Sequence, residues 1–139
     1  MRSLGLDLGD RRTGVAISDP QGLLAIPLTI IDNKDEDATI VNILKLAEQY
    51  QVERIVIGLP YSLDGNLGRQ ANKVTAFAEK LSQHAGLDIQ LWDERLSTKA
   101  ADKLMIEAGT KRNKRKQHRD AIAAAFILQG FLDSVKEDG

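Results

Sequence analysis

The sequence predicts a mixed α/β domain: a five-stranded sheet in which an antiparallel three-strand meander is joined by two parallel strands, with helices on both faces. Three observations predict it. Short strand-like apolar segments fill the chain up to residue 31, the apolar period turns helical from Ile40, and compact β-type runs recur between the helical stretches.

Residues 3–8 read Ser3-Leu4-Gly5-Leu6-Asp7-Leu8, an apolar alternation interrupted by an acid, and residues 13–18 form the second strand. Gly9-Asp10-Arg11-Arg12 between them is a tight hairpin, where Gly9 and Gly14 permit a close backbone turn beside Asp7. The third run, residues 23–31, contains Pro27 and therefore belongs at an edge or enters the sheet irregularly. Ile40, Ile43, Leu44 and Ala47 then form one face of a helix ending near Tyr50. Residues 52–59 carry Ile55-Val56-Ile57, a strand covered on both faces, closed by Gly58-Leu59-Pro60. Residues 61–68 are a loop by turn chemistry. Ala71, Val74, Phe77, Ala78 and Leu81 make the next helical stripe, which Gly86 stops. Residues 88–92 are a short strand, and Ser97 or Thr98 caps a helix reaching Glu107. A basic loop over residues 111–119 precedes a last apolar helix, residues 120–135.

The chain has 139 residues, which suits one domain spanning residues 1–139. A chain of this size buries roughly two thirds of its unfolded surface and needs no staple to fold. It contains no cysteine, which excludes thiol catalysis, zinc knuckles and disulfide frameworks. The longest uncharged stretches, residues 20–31 and 121–132, fall short of the roughly 20 apolar residues that span a bilayer. The first apolar run holds Asp7, Asp10, Arg11 and Arg12, unlike a secretory signal, so the expected location is the cytoplasm, away from membranes.

Charge is unevenly distributed. Lys111, Arg112, Lys114, Arg115, Lys116 and Arg119 cluster around His118, while the rest of the chain carries 13 basic against 20 acidic side chains. An acidic protein with one basic segment points to a polyanion touching one edge, the alternative being a solvated loop.

Three carboxylates stand where this topology would bring them together. Asp7 interrupts a central strand near its C-terminal end, and an isolated buried carboxylate costs several kcal/mol unless it is paired or solvated. Glu94 follows the fifth strand, at the mouth where open sheets place ligands, and Asp120 opens the last helix. Singly, Asp120 reads equally as a first-turn acid favoured by the helix dipole, and Glu94 as a surface partner of Arg95. Converging acids repel, and a hard divalent cation with oxygen ligands relieves that repulsion; without cysteine, Mg²⁺ or Mn²⁺ is the expected ion.

With these residues in view, the chain resembles the YqgF family, RuvC-like nucleases also called RuvX, within the ribonuclease H-like superfamily. The resemblance runs from Leu4 to Leu132. It rests on Asp7-Leu8-Gly9 with Arg12 and Gly14-Val15-Ala16, on Gly58-Leu59-Pro60 with Asp64-Gly65 and Gly68, on Asp93-Glu94-Arg95-Leu96-Ser97-Thr98, and on Asp120 with Ala123-Ala124 and Ile127-Leu128-Gln129. The hexapeptide is specific, whereas the Asp-x-Gly opening is shared with actin-like ATPases.

The resemblance implies a ribonuclease H-like sheet and a catalytic, metal-binding set of Asp7, Glu94 and Asp120 holding two ions across a scissile phosphate. It implies phosphodiester hydrolysis in nucleic acid, with processing of the 5′ end of the 16S rRNA precursor during ribosome biogenesis as the main reading. Resolution of four-way DNA (Holliday) junctions is the alternative, and fold likeness does not choose between them. Residues 121–132 contain no acid, so the second acid of a four-carboxylate site is missing; two ions are expected with substrate bound, and Asp93 is a reserve ligand.

Arg12, Arg95, Lys114, Arg115, Lys116, His118 and Arg119 are the candidate nucleic-acid contacts, their bland reading being ordinary surface charge. His118 could also assist proton transfer. Tyr61 reads as a base-stacking residue or a packed loop tyrosine, Trp92 as core, and His84 as a surface residue at a helix end. RNA is favoured over DNA and a monomer over a dimer, because no exposed apolar stripe is evident. A non-catalytic nucleic-acid-binding module is the reading from another class, and three converging acids argue against it. An actin-like ATPase fragment fails on length and on the lack of a phosphate loop.

Overall fold

The structure is a computed structural model that describes residues 1–60, 68–84, 86–93 and 112–138, with side chains left out of the description for 112–118 and 136–138. The strands are β1 (Ser3–Leu8), β2 (Arg12–Ser18), β3 (Ala25–Asp32), β4 (Arg54–Leu59) and β5 (Asp88–Asp93); the helices are α1 (Glu36–Gln49), α2 (Arg69–His84) and α3 (Arg112–Asp138). Sheet order is β3-β2-β1-β4-β5. β1 to β3 form the antiparallel meander, β4 joins parallel to β1, and β5 joins parallel to β4. This is the mixed sheet expected from the sequence. The loop expected over 61–68, apart from Gly68, and the helix expected near 97–107 lie outside the described residues.

The two faces are built differently. Leu4 and Leu6 point to one side, where they join Ile55, Ile57, Ile43 of α1 and Val74 and Leu81 of α2 in the larger core. Strand alternation sends Gly5 and Asp7 to the other side, where Ala16, Val56, Ala124, Ile127 and Leu128 form a second core beneath α3. That second core is rich in alanine, so α3 lies close to the sheet. The glycines show how close. A Cβ on Gly5 would sit 2.7 Å from Leu128 Cβ and 2.8 Å from the Ala124 carbonyl oxygen, and one on Gly14 would overlap the Asp120 carbonyl group.

Pro27 does lie in an edge strand. The register slips there: Val15 pairs with Thr29 and Ala16 with Pro27, leaving Leu28 as the extra residue of a bulge that absorbs the missing N–H. Gln129 of α3 caps this edge, its Oε1 accepting from Ala25 N at 2.8 Å and its Nε2 donating to Leu23 O at 3.1 Å.

The last helix corrects the sequence reading. Residues 112–119, expected as a basic loop, are the first two turns of α3, and Asp120 is the helix's ninth residue, so it is no first-turn acid. Arg, Lys and Gln are good helix formers and no Gly or Pro interrupts the segment, but it carries no apolar stripe to reveal its period. The stripe begins at Ala121, beside the Asp120 main chain that lies on Gly14.

Between β2 and β3, Asp19 accepts hydrogen bonds from the amides of Leu23 at 2.6 Å, Leu24 at 2.8 Å and Gln21 at 3.2 Å. These bonds, that of Leu24 foremost, hold its carboxyl below the ordinary value of 3.8. A depressed folded-state value means that the turn's contribution is complete above that ordinary value and is lost as pH falls below it. Asp19→Asn is expected to flatten the acid limb of a stability-against-pH curve, measured by urea unfolding; an unchanged limb would contradict this.

Candidate active site

Asp7 is the penultimate residue of β1 and lies directly opposite Gly14 of β2. Residues opposite each other in an antiparallel pair point to the same face, with Cβ positions about 4.5–5.5 Å apart. The position of a Gly14 Cβ is already occupied by the Asp120 carbonyl group. Asp7 is therefore aimed at the α3 face, its Cβ within roughly 7–8 Å of the Asp120 main chain. Two of the three predicted acids thus lie on one face, the Asp120 main chain seated on the residue paired with Asp7, and Gly14 makes that approach possible.

Arg12 joins them. It sits two residues before Gly14 on β2, hence on the same face, and its Nε stands 3.7 Å from Asp120 Oδ2. Both side chains are open to solvent, at 60% and 37% exposure, so the pair contributes under about 1 kcal/mol to stability. Its value lies in placement: a guanidinium beside an acid at the rim of the α3 face can hold a phosphate oxygen in its fork.

Trp92 anchors the neighbouring strand. It is on the α3 face of β5, opposite Gly58 of β4, and its ring meets Phe131 of α3 edge-on, with centroids 6.0 Å apart and planes at 87°. It is partly buried and packs against the second core, holding β5 beside α3 two residues before Glu94. Glu94 itself, Arg95 and Tyr61 lie outside the described residues, as do the side chains of Lys114, Arg115, Lys116 and His118. Asp93, the reserve ligand, pairs with Leu59, a residue of the larger core, so it is directed to the face opposite Trp92. Arg119 is exposed on α3 next to Asp120, and His84 is exposed at the end of α2.

Among the described residues no three His, Asp or Glu side chains gather closely enough to hold an ion. Were Asp7 and Asp120 to act with Glu94, they would offer only carboxylate oxygens, the chemistry that suits Mg²⁺ or Mn²⁺. Two clefts flank the turn between β1 and β2. One, of about 200 Å³, lies between the turn and the first turns of α1 and α2, lined by Leu8, Asp10, Glu36, Lys73 and Phe77. The other is open, about 410 Å³, and lined by Arg11, Arg12, Asp32 and Lys34.

Sequence reasoning misses two contributors. Gly14 reads as a turn residue, but it lies within β2 and serves the approach of α3; Gly9 does serve the turn, its amide donating to Arg12 O at 2.9 Å. The other is Asn33, an inconspicuous residue after β3 that bonds across this same turn.

The profile of a family described as RuvX, Holliday junction resolvase, matches residues 1–134. A protein of Clostridium botulinum (strain Hall) named "Putative pre-16S rRNA nuclease" is 47% identical over 137 residues, covering 99% of this chain and 100% of its own. Among solved structures, Thermus thermophilus RuvC in complex with a Holliday junction substrate superposes with a TM-score of 0.65 at 17% identity, covering 99% of this chain and 96% of that one. The fowlpox virus Holliday junction resolvase gives 0.61 at 14% identity, covering 97% and 99%. At such identities the structures speak for the fold alone.

Proposed function

The chain belongs to the RuvX family and is a nuclease, and from that premise we propose that it trims the 5′ end of the 16S rRNA precursor with a divalent-metal site built from Asp7, Asp120 and Glu94. The single observation that carries the chemistry is the seating of Asp120 on Gly14, directly across from Asp7. A binding module gains nothing from holding two acids together on a sheet face. The name of the 47%-identical relative supports the RNA substrate.

In this mechanism Asp7, Asp120 and Glu94 would hold Mg²⁺ or Mn²⁺. Such ions activate a water nucleophile and stabilise the charge that develops on the leaving oxygen. The chain's own groups do the placing. Asp7 is fixed by its strand and Asp120 by the helix packed on Gly5 and Gly14, so neither must be ordered when substrate arrives. Arg12, beside Asp120, takes a non-bridging phosphate oxygen and draws the strand into line. α3 brings the rest: its first turn contains no acid and several Lys and Arg residues, so its cations and its helix dipole both attract phosphate. Such contacts are indifferent to base sequence.

Neutralising Lys114, Arg115 and Lys116 together is accordingly expected to flatten the salt dependence of RNA binding, by about 0.7 in log–log slope for each single-strand phosphate that these side chains no longer neutralise. A slope that stays at the wild-type value would remove this end of α3 from the interface.

Resolution of four-way DNA junctions is the second reading, favoured by the family's description. Two symmetric cuts need two sites and hence a dimer. The sequence makes no apolar stripe evident, yet the structure leaves Leu23, Leu24 and Ile26 exposed at the start of the edge strand β3, so the preference for a monomer rests on the RNA reading and not on a bare polar surface. Cleavage of a structured 16S precursor RNA and of a four-way DNA junction, side by side with Mg²⁺, Mn²⁺ or EDTA, decides. Metal-dependent cutting of the RNA supports the proposal; cutting of the junction alone transfers the site to DNA.

A further inference from the structure

Asn33 is the first residue after β3, and two of its donors go to the turn between β1 and β2. Its Nδ2 donates to the Gly9 carbonyl at 2.9 Å and its backbone N–H donates to the Arg11 carbonyl at 2.8 Å. Its Oδ1 accepts from Thr13 Oγ1 at 2.8 Å and lies 3.5 Å from Thr39 Oγ1. The carbonyl acceptor at Gly9 requires the amide nitrogen on that side, so the orientation is dictated by its partners. Thr13 is fully buried, and Thr39 belongs to the first turn of α1, where it also bonds the Asp35 carbonyl at 3.0 Å. Thr13 pairs with Leu8, on the face away from α3.

The turn is thus gripped from the α1 side of the sheet, while its next residue, Arg12, emerges on the α3 side, 3.7 Å from Asp120. Gly9 N–H closes the turn on Arg12 O at 2.9 Å, so a displacement of Gly9 is passed to the Arg12 backbone. Arg12 is an exposed, long side chain whose own ion pair is too weak to hold it. What sets its position is the backbone from which it springs.

We propose that Asn33 is a positioning residue of the nuclease site, holding the 9–11 turn so that Arg12 stands against Asp120. The inference rests on the proposed site at Asp7 and Asp120. Asn33→Asp is the selective variant, because it keeps the acceptor for Thr13 and Thr39 but sets a carboxylate oxygen against the Gly9 carbonyl. Asn33→Ala serves as a second variant, and Thr13→Val is the control that removes a buried hydrogen bond and leaves the Gly9 link intact.

Kinetics of RNA cleavage with Mg²⁺ are measured for these variants, for Arg12→Ala and for the Asn33→Asp/Arg12→Ala double variant. Asn33→Asp and Asn33→Ala are expected to lower kcat about 10- to 100-fold, the usual size for an outer-shell partner, with KM little changed. The loss should nearly vanish when Arg12 is already Ala, and Thr13→Val should lose stability while keeping kcat. Wild-type kcat in Asn33→Asp, or an equal loss with and without Arg12, would overturn the proposal. Failure of the underlying site shows separately, as equal cutting by wild type and Asp7→Asn. In that event NMR without substrate decides: Arg12 Nε and Asp120 Cγ resonances that move together in Asn33→Asp and stay put in Thr13→Val support the positioning role, and resonances unmoved in Asn33→Asp refute it.

Discussion

Asp7→Asn is expected to lower RNA cleavage by about 10³- to 10⁴-fold while leaving the fold and RNA affinity close to wild type. Asn matches Asp in volume, so packing against the α3 face is kept, but it brings no negative charge to a cation. Electrostatic stabilisation by a bound metal supplies several kcal/mol in the transition state, and each 1.36 kcal/mol is tenfold in rate. The proposed binding surface, in contrast, is the basic end of α3, which the substitution does not touch. Single-turnover cleavage, circular dichroism and a binding isotherm on the same preparation separate these effects. Activity within tenfold of wild type would remove Asp7 from the chemistry.

Gly14→Ala is expected to be among the most damaging single-methyl additions in the molecule. The new Cβ would overlap the Asp120 carbonyl group and lie 2.8 Å from Ala121 N, and backbone has no alternative rotamer. Overpacking ordinarily costs 1–3 kcal/mol. Here the helix itself must lift, so about 3 kcal/mol is expected, a fall in Tm of roughly 10 °C for a chain of this size. Because the displaced residue is Asp120, activity should fall more than the unfolded fraction explains. Gly86→Ala is the control: nothing among the described residues lies within 4 Å of its Cβ position, so Tm should stay within a few degrees. A Gly14→Ala protein with wild-type Tm would mean that α3 does not rest where it is placed.

Local chemistry makes much of the fold legible. The alternation through Leu4, Leu6 and Leu8 marks β1 residue for residue, Pro27 marks the edge strand, and the 3.6-residue stripes from Ile40 and from Ala71 mark α1 and α2. Asp7 stands out because an acid inside a central strand has few inexpensive structural roles. What stays hidden is hidden for two physical reasons. The first two turns of α3 contain no apolar residue, so their helicity leaves no apolar period, and Asp120 reads as the start of a helix instead of its third turn. Gly14 and Asn33 act through contacts remote in sequence, Gly14 with Asp120 and Asn33 with Gly9; Gly14 reads locally as a turn residue, and Asn33 carries no local signal. Glycine under a helix and glycine in a hairpin are indistinguishable until the helix is placed.

Asp7 and Asp120 are proposed to share one divalent cation site on the α3 face. Titration of the ¹⁵N-labelled protein with Mn²⁺ tests it without substrate or turnover, since amides near the ion broaden first. A shared site gives early broadening at Asp7, Leu8, Gly14, Asp120 and Ala121, competed by Mg²⁺ and lost in both Asp7→Asn and Asp120→Asn. Broadening centred elsewhere, or undiminished at these amides in either variant, would contradict it.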